Sequence, residues 1–145
     1  MNLAIYDDRG VRFEHPDDWE VDVTEDGART TIAVGSPGGL AFALVTIDEG
    51  DEADPDELVA EALAALRAEY PTLTADPAEE DIAGHPAAGH DVEFVSLDFS
   101  VACALRGFRT AERTVFLLTQ WSDLESDDAD DALRLLRRSF EETDA

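Results

Sequence analysis

The sequence predicts an α+β fold: a mostly antiparallel, twisted sheet of about six to eight strands with two main helices packed on it. Three observations carry that expectation. Short apolar or alternating runs are punctuated by Gly, Pro and Asp turns. Two longer segments place their apolar residues at helical spacing. The order is strands, helix, strands, helix, with connections so short that neighbouring strands must pair antiparallel.

Leu3–Tyr6 and Val11–Glu14 read as short strands around a turn at Asp7-Asp8-Arg9-Gly10, and His15-Pro16-Asp17-Asp18 breaks the chain. Trp19–Glu25 alternates, with Trp19, Val21 and Val23 on one face. Asp26-Gly27 then turns it into a return strand, Arg29–Val34. After Ser36-Pro37-Gly38-Gly39, the run Leu40–Ile47 is apolar on both faces, as a central, covered strand would be. Asp54 suits an N-cap and Pro55 a first helical position. Leu58, Val59, Ala62, Leu63, Leu66 and Tyr70 then form one stripe that Pro71 closes. Glu79–Ile82 reads as a short strand and Gly84-His85-Pro86 as a turn. Ala88–Val95, Phe99–Arg109 and Arg113–Trp121 form a meander. A final helix over about Asp127–Phe140, capped by Ser126, carries Ala129, Ala132, Leu133, Leu136 and Phe140 on one face. No internal repeat and no long linker divides the chain, so one domain over residues 1–145 is expected.

Charge describes the setting more than the activity. The chain holds 35 acidic residues against 10 basic ones, every one of them Arg, for a formal charge of −25. High charge with low hydrophobicity would mean disorder, but 44% of these residues are apolar and fall in ordered stripes. In dilute buffer such self-repulsion destabilises a compact state; at roughly 1 M salt the Debye length is about 3 Å and the repulsion is screened. With no Lys stems to expose, the composition is that of a protein adapted to a cytoplasm of molar salt. A basic nucleic-acid-binding tail and a polybasic membrane patch are excluded. Where every protein is acidic, however, charge alone says little against nucleic acid. The N-terminus shows no basic segment followed by an apolar core, and no apolar run approaches a membrane span. A cytoplasmic, non-membrane protein is expected.

Sites of chemistry are sparse. Cys103, the single cysteine, lies in an apolar strand, so no disulfide framework or multi-Cys zinc site is available and a buried structural thiol is expected. The acidic run from Asp48 has Ala53 and Val59 where a calcium loop needs Gly and a bidentate acid, leaving a solvated loop with a helix cap. His85 and His90, with Asp91 or Glu93 nearby, lack metal-ligand spacing, because one falls in a turn and the other in a strand. No metal or cofactor is expected. Ser36 sits in a strand–turn–strand without a nucleophile elbow. The remaining asymmetry is arginine. Arg106, Arg109 and Arg113 lie around one hairpin, and Arg134, Arg137 and Arg138 lie on the last helix. The first three are the candidate binding residues for an acidic partner or anion; the alternative is pairing with acids of the same chain.

Gly10-Val11-Arg12-Phe13-Glu14-His15-Pro16-Asp17-Asp18-Trp19 resembles the opening of the Mog1/PsbP-like fold family: a Gly turn, a short strand, then Pro, two residues and Trp. Gly84-His85-Pro86-Ala87 is similar to the turn before that family's strand meander. Ser139-Phe140 is similar to its frequent terminal Ser-Phe. The resemblance implies a sheet flanked by helices and a role in binding proteins, without a shared catalytic apparatus or transferable site residues. Many bacterial relatives carry a lipoprotein signal, a pattern from which this chain departs. The expected function is therefore a non-catalytic interaction module, its partner an unknown protein bound by a sheet face or edge. The rival is a small-ligand carrier or enzyme with a pocket between sheet and helices, in which His85 or His90 would stand beside Asp91 or Glu93.

Overall fold

Tight turns and one helical crossover generate the architecture seen in the computed structural model, which describes residues 2–125 and 127–143. In chain order the elements are β1 (Leu3–Asp8), β2 (Val11–Pro16), β3 (Glu20–Asp26), β4 (Arg29–Gly35), β5 (Phe42–Asp48), α1 (Pro55–Glu69), β6 (Thr74–Ile82), β7 (His85–Ser96), β8 (Phe99–Arg109), β9 (Thr114–Ser122), α2 (Asp127–Ser139) and β10 (Glu141–Glu142). Seven strands form one sheet in the order β3-β4-β5-β9-β8-β7-β6, and β1-β2-β10 form a second. All pairings are antiparallel.

Strand alternation sends side chains to two cores. Along β9, Val115 and Leu117 enter one cluster, which also holds Ile32, Val45, Val11, Phe13 and the buried stripe of α2. Phe116 and Leu118 enter the other, against Val59, Leu105 and the stripe of α1. The large sheet is thus covered by α1 on one face and by α2 with the small sheet on the other. Asp54 caps α1 by accepting from Asp56 N–H at 2.9 Å, and Pro55 takes the first helical position. Gly107 lets α1 sit down on β8: a Cβ there would stand 2.9 Å from Pro55 O and 3.2 Å from Val59 Cγ2. At the other helix, Phe140 is buried and stacks on Phe13, while Ser139 Oγ accepts from Glu14 N–H at 2.9 Å. Trp19 closes the same core, its N–H donating to Pro16 O.

Several boundaries depart from expectation for physical reasons. Arg9 and Gly10, with φ of 56° and 81°, make a two-residue hairpin turn, so β1 runs on to Asp8. Ala83 and Gly84, at 55° and 81°, do the same before β7. His85 is therefore a strand residue rather than a turn residue. The strand expected over Glu79–Ile82 begins at Thr74 and includes Pro77, which an edge strand tolerates because half its N–H groups point away from the sheet. Pro16 ends β2 from within it. The expected single sheet is two: β1 and β2 stand apart from the other seven strands and take the two-residue β10 as their third. The expected cap at Ser126 lies outside the described residues.

Candidate functional site

α2 packs chiefly against β2, which leaves part of its face of the large sheet open over β6 to β9. Small residues deepen that opening: on this face β8 carries Ala102 and Ala104, opposite Trp121 and Thr119 of β9. The result is a trough made of two confluent cavities of about 470 Å³ and about 430 Å³, which share Glu93, Ala102 and Trp121.

One end is an ion-pair network. Arg106 is buried and donates from Nε to Glu80 Oε1 at 2.8 Å, from Nη2 to Asp91 Oδ1 at 2.7 Å, and from Nη1 to the carbonyls of His90 and Leu105. Arg137 of α2 donates from Nε to the same Glu80 Oε1 at 3.0 Å and from Nη1 to Thr119 Oγ1 at 2.8 Å. Burial pushes the Arg137 guanidinium below its ordinary pKa; Glu80 opposes that shift and the neighbouring Arg106 adds to it. Asp130 and Arg134 pair with each other along α2 at 3.1 Å, which raises the arginine's pKa. Most of the positive charge at this end already has a partner.

The other end is apolar and exposed. Val95, 66% exposed, lines this end, and beyond it the β7–β8 hairpin exposes Leu97 at its turn (88%) and Phe99 on the α1 side of the sheet (37%). Its two turn residues, Leu97 and Asp98, have φ of 51° and 70°, the left-handed region that favours Gly or Asn. A branched apolar side chain thus occupies a turn position that neither conformation nor burial recommends. Between the two ends, Glu93, Ala102 and Trp121 stand side by side in register across β7, β8 and β9. Among the described residues, no cation lies within ion-pair distance of Glu93 or of Asp123, which lines the apolar end.

The three candidate arginines are not brought together. Arg106 is in the trough. Arg109 donates to Gly50 O at 3.1 Å and Thr114 Oγ1 at 2.8 Å on the other side of the sheet. Arg113 is buried and pairs with Glu142 of β10, whose carboxylate also accepts from Thr110 Oγ1 at 2.9 Å. Each is bonded within its own chain. The rival reading needed His85 or His90 beside Asp91 or Glu93 in a pocket; the trough holds Asp91 and Glu93, but neither histidine lines it. His85 stacks on Phe108 with ring centroids 5.5 Å apart, and His90, paired with Leu105, faces α1. Cys103 is buried as expected, and burial pushes its thiol up to about 12. The acidic run resolves into structure: Asp48 accepts from Gly50 N–H and Arg29, and Asp54 caps α1.

Trp121, Glu80 and the hairpin apolar residues were not singled out by sequence. A signal for the last was present: Leu97-Asp98 links two strands without the Gly or Asn that such a turn favours.

No protein-family model matches the sequence, and no curated protein matches it. Solved structures do resemble it in shape. LpqN of Mycobacterium tuberculosis, described as involved in cell envelope biogenesis, superimposes with a TM-score of 0.58 at 17% identity, covering 99% of this chain and 91% of that one. Cyanobacterial PsbP (CyanoP) from Synechocystis sp. PCC 6803 gives a TM-score of 0.62 at 10% identity, covering 97% and 92%. A Bacteroides thetaiotaomicron VPI-5482 protein gives 0.56 at 10% identity, with 93% of this chain covering 46% of that one. Neither LpqN nor CyanoP is described by an enzymatic activity. The expectation carried by the Gly turn, the Pro-to-Trp spacing and the terminal Ser-Phe is met: the chain has the Mog1/PsbP-like fold.

Proposed function

We propose that this domain is a non-catalytic interaction module that holds an extended segment of another protein in the trough over β6 to β9. The observation that carries the reading is the hairpin. Leu97 is almost fully exposed and sits at positive φ in the β7–β8 turn, two residues along the chain from Val95, which lines the cavity with Phe94, Val101 and Trp121. Strained backbone clusters at functional sites, and exposed apolar patches mark interaction sites. The trough is open along its length, as an extended chain requires, rather than closed around a small molecule. The catalytic rival gains no support here, because the pocket's carboxylates have neither histidine beside them.

We extend the proposal to the setting, a cytoplasm of molar salt, on the strength of the 35 acids and the absence of lysine. The test is affinity capture from extract of the source cells, at high salt, with the wild type, Leu97→Asp and Val21→Asp. Val21 is also exposed, but lies on the far edge strand, β3. A partner retained by the wild type and by Val21→Asp but lost with Leu97→Asp is the expected result. Equal retention by all three overturns the reading.

A further inference from the structure

We infer that the middle of the trough is a slot for a guanidinium or ammonium group, and that the docked segment therefore carries an Arg or Lys next to apolar residues. The inference rests on the docking function proposed above and adds the chemistry of the partner. Glu93, Ala102 and Trp121 are consecutive in the cross-strand row, Glu93 opposite Ala102 and Ala102 opposite Trp121. With neighbouring strands about 4.8 Å apart, the carboxylate and the indole rise from the sheet about 10 Å from each other, with only a methyl group between them. That gap accepts a flat cation, with one face on the indole and its N–H groups toward the carboxylate.

Glu93 has no cationic partner among the described residues, whereas Glu80, Asp91 and Asp130 of the same trough are each paired with Arg. Asp123 adds a second unpaired carboxylate beside Trp121. The row also lies where the two cavities meet. A cation bound there leaves the next residue of the segment against Val95.

The test uses NMR titration of the labelled full chain with two blocked peptides of alternating Leu and Arg, the second with citrulline, a neutral isostere, in place of Arg. Expected are saturable shifts centred on Glu93, Ala102 and the Trp121 indole. Affinity should fall about three- to tenfold for the citrulline peptide, for Glu93→Gln and for Trp121→Leu, the range of a partly desolvated cation–π contact. Glu93 is exposed, so Glu93→Gln is expected to fold normally. Equal binding of both peptides in the trough overturns the cation slot and leaves the docking reading standing. Shifts centred away from the row, or none with either peptide, overturn both.

Discussion

Arg137 and Glu80 meet across the trough, Nε to Oε1 at 3.0 Å, and so tie α2 to the edge strand β6. The same oxygen accepts from buried Arg106, so Glu80, together with Asp91 on Arg106, balances two guanidinium groups that burial would otherwise penalise. Glu80→Gln removes that charge and keeps the shape. A loss of about 2 kcal/mol of unfolding free energy is expected at fixed salt, within the range for a charged hydrogen-bonded group. Denaturant titration reads it, and a change under about 0.5 kcal/mol, the level of an ordinary surface substitution, would show that the helix is seated without the pair.

Leu97 separates stability from function. At φ 51° its side chain is strained, and Asn relieves that strain. Leu97→Asn is expected to raise the unfolding free energy by up to about 1 kcal/mol while abolishing partner capture. Thermal melts and capture at the same salt check the two arms. A destabilised variant would mean that Leu97 packs against its own fold.

Gly89 and Gly107 are expected to be the least replaceable glycines on the sheet. A Cβ on Gly89 would fall 1.7 Å from Leu105 O, a backbone atom that cannot step aside. Gly89→Ala should therefore cost more than Gly107→Ala, whose nearest contact, Pro55 O at 2.9 Å, needs only a small shift of α1 at a cost of about 1–3 kcal/mol. Comparing both variants by denaturation checks the order.

Cys103 sets a dependence on alkaline pH. Burial raises the thiol from 9.0 to about 12, so the folded chain keeps its proton where the unfolded chain has lost it. The resulting contribution to stability is complete below pH 9 and is lost as pH rises toward about 12. Cys103→Ala should flatten that decline. In the wild type, alkylation at pH 8 should be slow until the protein is unfolded, and rapid native alkylation would contradict the burial.

Salt tests the setting. The melting temperature should climb steeply from about 0.1 M to 2 M KCl as the Debye length shrinks from roughly 10 Å to a few ångströms. A midpoint insensitive to KCl would remove the case for a molar-salt cytoplasm.

The fold was legible because its determinants are local. Asp54-Pro55 marks a helix start, Asp26-Gly27 a hairpin, and the stripe Ala129 to Phe140 a buried helix face. What stayed hidden depends on register between distant segments. Glu93, Ala102 and Trp121 become neighbours only through two strand pairings, and nothing local to any of them announces the row. The arginines misled for the complementary reason. Arg106, Arg109 and Arg113 are close in sequence, but alternation and the turn at Thr110 direct them to three surroundings, each with its own partner. Small residues at Ala102 and Ala104 leave space that a one-dimensional pattern reads as merely apolar.

Amide hydrogen exchange on the domain with and without the captured partner tests the docking face most directly. Slowed exchange confined to residues 91–104 and 119–124, with β3 and β4 unchanged, is the predicted result. Protection centred on β3 and β4, or none along β7 to β9, would contradict it.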